Sequence, residues 1–422
     1  MKKFLFNKQE KQAMNGIFWN ALGGAAFAGQ SAVILVFVSD RMGMETAGMV
    51  MIAYAIANLF YAAAQYGVRN FQVTDVREKY GFTDYLMARA ATITAVMAAF
   101  FIYLLYSYYI KGYSYEKLII IMEITVWKQV DAFEDVFVGQ YQRAGRLDLG
   151  ARMMAVRLIV STGLVCLLII IGIDIKASFA AGILLSVIID AGGIQHSFYI
   201  VRGKKQSASV KKAAEILREC FPLCIGITFS CYVGNAPKYL IDSWMDEKTQ
   251  AVFGYIMLPV FAVVLLNNFI YQPAVKGMGD IWEQKRVREF RRKAVKQCAI
   301  IAAITVCMCF AGLWIGMRVL SCLYHVDLKF CEMEFIVLLL GGGFYAMAFY
   351  LNVPLTVMRR QRVIAVGYLA VSFFSVFFGR YFVIHGGMMG AAALYFILNA
   401  VLVAGYLAVL FYGTEKQFRF DR

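Results

Sequence analysis

Apolar residues run along this chain in long stretches rather than in short amphipathic periods. About 20 consecutive apolar residues cross a hydrocarbon core of about 30 Å as a helix. Twelve such stretches recur: 14–38, 44–68, 86–110, 117–140, 150–172, 176–201, 216–241, 250–275, 297–317, 332–357, 363–383 and 388–412. They divide evenly about the polar joint VRGKKQSASVKKAAE at 201–215. The pattern predicts an all-α integral membrane protein of about twelve transmembrane helices in two six-helix lobes, 1–205 and 206–422. Because six is even, both lobes enter the membrane from the same side, as in a parallel repeat.

Composition agrees with that layout. The chain is 61% hydrophobic and 16% charged, with a mean hydropathy of +0.64, whereas soluble domains are about 25% charged. Lysine and arginine concentrate in the N-terminus and every second loop, while the opposite loops hold isolated cations such as Arg41, Lys176 and Arg380. Loops retained in the cytoplasm carry this enrichment, so both termini are expected inside. The net charge of +15 then reflects that bias and attraction to anionic membrane lipid, and it implies no nucleic-acid partner. The basic start MKKFLFNKQEK is followed by no short apolar core with a small-residue cleavage site, and is expected to be retained.

The fourth stretch breaks the apolar rule. KQVDAFEDVFVGQ, 128–140, closes a run that opens at Leu118, and so places Lys128, Asp131, Glu134 and Asp135 inside a span. At about 100° per residue these four and Glu123 fall within one arc of roughly 140°. The opposite side carries Ile119, Met122, Val126, Val130, Phe133 and Phe137. A charge near the bilayer centre costs about 2.5–3.5 kcal/mol even on the mildest scale, so the arc has to face water, a counter-charge or a ligand. It is expected to line a polar cavity.

Other polar positions point the same way. Tyr54, Asn58, Tyr61 and Gln65 make a narrow stripe on the second span, either as cavity lining or as hydrogen-bonding glue between helices. Asp190 is a mid-span acid in the sixth span, while Arg157 and Lys238 lie nearer span ends, where snorkelling explains them as well as function does. The second lobe offers amides, Asn235, Asn267, Asn268, Asn352 and Asn399, and all five prolines, which bend helices. EQKRVREFRRKAVKQ, 283–297, is basic with apolar residues to one side and is expected to lie along the inner membrane surface. The nine scattered cysteines read as small apolar packers, the three histidines are too far apart to suggest a metal site, and no cofactor-binding motif is present.

Twelve spans in two lobes, a charged cavity in the first and bendable helices in the second, describe a V-shaped alternating-access carrier. Residues 18–76, with AIANLF and YGVRNFQVTDV, and later GNAPKYLID at 234–242, resemble the bacterial polysaccharide biosynthesis flippases, the oligosaccharidyl-lipid branch of the multidrug and polysaccharide exporter superfamily. That resemblance implies an undecaprenyl-diphosphate-linked oligosaccharide as substrate, turned from the inner to the outer leaflet for capsule or exopolysaccharide export, with polysaccharide assembly proteins as partners. It implies that Arg69, Asn70, Gln72 and Asp75 shape the inner mouth and that Asn235, Lys238 and Tyr239 form the matching wall of the second lobe.

One departure stands out. The family is described with a cationic cavity for the diphosphate, whereas the fourth span has four acids to one lysine. Either the acids bind sugar hydroxyls and a coupling cation, H+ or Na+, at Asp131, Glu134 and Asp135, or Lys128, Arg69 and Arg157 meet the diphosphate while the acids balance them. A cation-coupled multidrug exporter of the same fold is the nearest rival. A membrane-embedded polysaccharide polymerase or glycosyltransferase is a more distant one, because the outer loops are too short for a catalytic domain.

Overall fold

The computed structural model describes residues 2–75, 78–200 and 207–419, with the backbone alone described at 2–13, 197, 261–277, 280 and 414–419. Asn267, Asn268, Pro273 and the joint at 201–206 therefore lie outside the described residues or side chains. The described chain is helical and contains no strand. In order the helices are α1 (Lys2–Met42), α2 (Met44–Gln65), α3 (Val68–Thr74), α4 (Phe82–Tyr109), α5 (Tyr115–Arg143), α6 (Leu147–Ile170) and α7 (Ile175–Ser197). There follow α8 (Val210–Trp244), α9 (Glu247–Glu283), α10 (Val287–Ala311), α11 (Met317–Tyr324), α12 (Glu332–Val357) and α13 (Gln361–Arg419).

Nine helical runs among the described residues are long and apolar enough to cross a membrane. One of them, Gln361–Gly413, breaks at Gly387, whose φ of 55° and ψ of −136° no helix contains, so it supplies two crossings. The α5 helix has the length, 29 residues, but carries too much charge to qualify as apolar. With α9, 37 residues long, these make the twelve crossings that hydropathy predicts.

Three local features differ from the sequence reading. The second span stops at Gln65, because Tyr66 (φ 52°) and Gly67 (φ 75°) are both left-handed and end α2 before α3 begins. A Cβ at Gly67 would also stand 2.8 Å from Leu223 Cβ, so both conformation and space ask for glycine. Secondly, the basic segment 283–297 is no separate surface helix. Most of it forms the first turns of α10, which continues through a π-helical turn (Gly312–Gly316) into α11. Its cations from Arg288 to Lys296 lie in the first turns of that helix. Thirdly, α8 runs unbroken past Pro222 and Pro237, so a proline in these spans does not by itself end a helix.

Two compact units make up the chain, Met1–Thr228 and Phe229–Arg422. The division falls within α8. Ala213, Ile216 and Cys220 at the start of that helix are buried with Val68, Tyr85, Val136 and Tyr141 in the core of the first unit, which explains why this half of the helix groups with the residues before it. Within the first unit α1 packs on α6, and α5 packs on α2, α4, α6 and α7; within the second, α12 is flanked by α9, α10 and α13.

Candidate functional site

The charged arc of α5 is buried, and it faces counter-charges. Lys128, Asp131, Glu134 and Asp135 are each at most 7% exposed, whereas Met122 and Phe133 on the opposite side are 37% and 39% exposed. Lys128 Nζ donates to Asp131 Oδ2 at 2.9 Å and to Gln30 Oε1 of α1 at 2.8 Å, and lies 4.0 Å above the Phe27 ring. The Tyr54 ring of α2 stands on the same ammonium at 5.9 Å.

Arg157 of α6 is the hub of the next layer. Its Nη2 reaches Asp131 Oδ1 at 2.7 Å and Glu134 Oε2 at 2.6 Å, and its Nε lies 3.3 Å from Asp190 Oδ1 of α7. With a side chain 1% exposed, Arg157 is not snorkelling.

One turn further along α5, Asp135 is held by two arginines. Arg89 of α4 donates to Oδ2 at 2.8 Å and Arg69 of α3 to Oδ1 at 3.1 Å. Arg89 also donates to the Ala64 carbonyl at 2.6 Å, and the Thr92 hydroxyl donates to the same oxygen at 2.9 Å. Ala64 belongs to the last turn of α2, where carbonyls lose their helical donors, and inside a membrane such groups need a protein partner. Arg89 thus ties the break in the second span to the charged span. Arg69 lies on the far side of that break, with Nη2 donating to Gln142 Oε1 at 3.0 Å and a side chain 24% exposed. Gly139 makes room for this approach, since a Cβ there would collide with the Gln72 amide and stand 3.2 Å from Arg69 Cγ.

Counting the network gives four cations (Lys128, Arg157, Arg89, Arg69) against four acids (Asp131, Glu134, Asp135, Asp190). The acid excess seen on α5 alone is cancelled by α3, α4 and α6. Asp131 and Asp135 are each paired with two cations, so of the two arrangements left open by the sequence, the geometry favours acids that balance cations.

The remaining predicted residues separate into groups. Gln72, fully buried, donates to Gln140 Oε1 at 3.3 Å and joins α3 to α5. Gln65 donates to its neighbour Tyr61 at 2.8 Å, and Asn58 lies on the same half-buried face. Asn70 is exposed, and its backbone carbonyl accepts from Thr74.

Asp75 organises the 75–80 turn rather than offering a free carboxylate. It accepts from the Lys79 and Tyr80 N–H groups and from the Tyr85 hydroxyl, with Arg143 at 3.6 Å. Burial pushes its carboxyl up, but these hydrogen bonds and Arg143 outweigh burial and hold it below the ordinary carboxylate value. Glu123, half-buried, stands apart from the network, in the field of Asp174 and Lys176 at the α6–α7 turn.

In the second unit Asn235 and Lys238 are buried, Asn235 donating to its own Cys231 carbonyl at 3.1 Å, and Tyr239 stacks on Tyr232 with centroids 5.5 Å apart. Arg89 is the network member that sequence reasoning passed over. Its one signal was a cation within a span.

No family model matches the chain. The fold is that of transporters of the multidrug and polysaccharide exporter superfamily, as the solved structures show. The lipid II flippase MurJ, in an inward closed conformation, superposes with a TM-score of 0.69 at 14% identity, covering 94% of this chain and 86% of that one. A mutant of the Vibrio cholerae MATE transporter VcmN gives 0.65 at 10% identity, covering 98% of both chains. In sequence, the capsular polysaccharide biosynthesis protein CapF of Staphylococcus aureus is 22% identical over 380 residues, 88% of this chain and 93% of its own. The resemblance read from the motifs of the first two spans thus extends over nearly the whole length.

Proposed function

We propose that the protein is a flippase that carries an undecaprenyl-diphosphate-linked oligosaccharide from the inner to the outer leaflet by alternating access, supplying cell-surface polysaccharide assembly. It acts as a carrier and not as an enzyme. Its two lobes, 1–205 and 206–422, sit in a bacterial cytoplasmic membrane with both termini inside, and polysaccharide assembly proteins take up the product. The observation that carries the reading is the end-to-end likeness to a capsular polysaccharide biosynthesis protein.

The chemistry of Arg69 supports it. Asp135 has two arginines, and the fully buried Arg89 alone satisfies one of its oxygens while anchoring Ala64. Arg69 is then the surplus cation and the most exposed member of the network. A guanidinium that can exchange one carboxylate oxygen for a phosphate oxygen suits a diphosphate headgroup. Asn235, Lys238 and Tyr239 are assigned to the sugar-facing wall of the second lobe.

The MATE likeness keeps a multidrug exporter as the second reading. An exporter of cationic drugs has to offer a carboxylate, and the acids of the network are at most 7% exposed and engaged with arginine or lysine. Deleting the gene tests the choice. Lipid-linked repeat units should accumulate at the inner leaflet with drug sensitivity unchanged, whereas broad hypersensitivity with normal surface polysaccharide refutes the flippase. A single cysteine at position 288 should resist an impermeant thiol reagent in intact cells, and labelling there refutes the orientation.

A further inference from the structure

The two ends of the second unit differ in charge. At one end, residues 279–296 and 357–362, which include the turns from α9 into α10 and from α12 into α13, hold ten lysines and arginines against three acids. At the other end, residues 242–248, 318–334 and 380–387 hold four against six acids. Retention of basic loops in the cytoplasm explains such a count, but not the shape of the basic end.

A cleft of about 510 Å3 opens there, lined by Gly279, Trp282 and Glu283 from the end of α9 and by Val357, Met358 and Arg359 where α12 ends. Small-molecule sites fall in a range of about 300–1,000 Å3. A Cβ at Gly279 would meet no described atom within 4 Å, so the missing side chain leaves that part of the cleft open. Trp282 is half-buried against the buried Phe290 of α10, with ring centroids 4.9 Å apart, and Met358 is buried as well. These residues and Val357 make an apolar wall.

The charged groups of the cleft are both exposed, Glu283 and Arg359. Arg359 is left-handed at φ 57°, and the N–H groups of Met358, Arg359 and Arg360 donate to the carbonyls of Pro354, Thr356 and Leu355 at 3.0, 2.9 and 2.8 Å. Backbone donors thus satisfy the last carbonyls of α12, and the guanidinium is not needed to cap them. Among the described residues no carboxylate pairs with Arg359, Arg360 or Arg362. Other cations of this end are already engaged: Arg286 pairs with Glu289, and Arg291 donates to the Phe411 carbonyl at 2.6 Å.

We propose that the cleft holds the headgroup of an anionic phospholipid with free hydroxyls, of which phosphatidylglycerol is the simplest. A guanidinium suits a phosphate, and basic clefts between the ends of spanning helices take anionic lipid headgroups. The cleft lies where the apolar run Lys329–Val357 stops, so its apolar wall continues toward the acyl chains. Glu283 narrows the choice of lipid. A carboxylate accepts from hydroxyls, which the glycerol headgroup supplies without a second charge. Ethanolamine would satisfy Glu283 but bring a cation into a positive field, and phosphatidic acid would offer Glu283 no hydroxyl. The site goes beyond the flippase reading and stands whether or not that reading does.

Native mass spectrometry of the purified full chain, offered equal amounts of phosphatidylglycerol, phosphatidylethanolamine and phosphatidic acid, tests the site. The wild type should retain phosphatidylglycerol several-fold more than either of the others. Arg359→Gln should lower that retention about tenfold, and so should Gly279→Leu, which fills the cleft. Glu283→Gln should bring phosphatidylglycerol down toward phosphatidic acid, and Arg318→Gln at the opposite end should change nothing. Retention unaltered in Arg359→Gln and Gly279→Leu overturns the site and leaves only diffuse attraction to the basic end. Phosphatidylethanolamine held by the wild type as strongly as phosphatidylglycerol overturns it whether or not the variants fold. Soluble glycerol phosphate or undecaprenyl diphosphate that displaces the lipid at equal concentration also overturns it, assigning the cleft to a free phosphate or to the transported substrate.

Discussion

The two units solve the same problem, polar groups inside a membrane, in different ways. The first joins helices distant in sequence through ions: Arg157 to Glu134, Arg89 to Asp135, Arg69 to Asp135, Lys128 to Gln30. Apart from the buried Lys238, the second relies mostly on neutral groups. Asn399 donates to the Tyr395 carbonyl at 2.8 Å, Asn352 to the Tyr368 hydroxyl at 3.5 Å, Tyr406 to the Ile364 carbonyl at 3.0 Å and Tyr345 to the Ser230 carbonyl at 3.4 Å.

The bond of Asn399, like that of Asn235 to the Cys231 carbonyl, stays within one helical turn, so both survive when helices slide or bend. Ion pairs do not. Removing one partner strands the other in a low-dielectric interior at about 3–5 kcal/mol, whereas a neutral interhelical hydrogen bond in a membrane averages about 0.6 kcal/mol. The first unit is therefore built to hold one arrangement of charges, and the second to tolerate rearrangement.

The sharpest way to break that comparison is Arg157→Met. It leaves Asp131, Glu134 and Asp190 facing one another with Lys128 as the only cation in the layer. Thermal unfolding in detergent should show a loss of about 3–5 kcal/mol, and the protein should fall below detection in the membrane. Near-normal stability would mean that the acids are not held by Arg157.

Arg69→Gln should separate function from stability. Arg89 still holds Asp135, so the membrane level should stay near normal, while binding of the lipid-linked diphosphate weakens about tenfold or more with the loss of a charge-assisted hydrogen bond. Loss of the protein together with the activity would reassign Arg69 to a structural role.

Asp75→Asn should cost about 1 kcal/mol. Because the Asp75 carboxyl is held below its ordinary value, its stabilisation is complete above the unfolded carboxylate value of about 3.9 and disappears as pH falls through the folded value. The variant should lack that part of the acid-side slope in stability against pH. The smallest effect belongs to the second unit. Asn399→Leu is expected to cost under about 1 kcal/mol, and a loss as large as that of Arg157→Met would erase the distinction between the units.

How much of this was legible in the sequence depends on whether the cause was local. The twelve crossings are, because length and apolarity alone decide whether a segment enters lipid. The arc of α5 is too, since one helix sets its own periodicity. The sign of the site was not. A wheel of α5 counts Lys128 against its four acids and cannot see Arg69, Arg89 and Arg157 arriving from α3, α4 and α6.

Arg89 stayed hidden because its second role, capping Ala64, exists only where α2 stops. That stop rests on two left-handed residues, Tyr66 and Gly67, inside an otherwise continuous apolar pattern. Asp75 was placed at the inner mouth by resemblance, and its hydrogen bonds from Lys79 and Tyr80 became visible only with the backbone at those two residues.

The most direct test of the central claim is reconstituted transport. Purified protein in liposomes should move an undecaprenyl-diphosphate-linked oligosaccharide across the bilayer, should do so at a much reduced rate with Arg69→Gln, and should leave cationic dyes untransported. Gradient-driven export of cationic dyes by a preparation that leaves the lipid-linked oligosaccharide in its original leaflet would contradict the account.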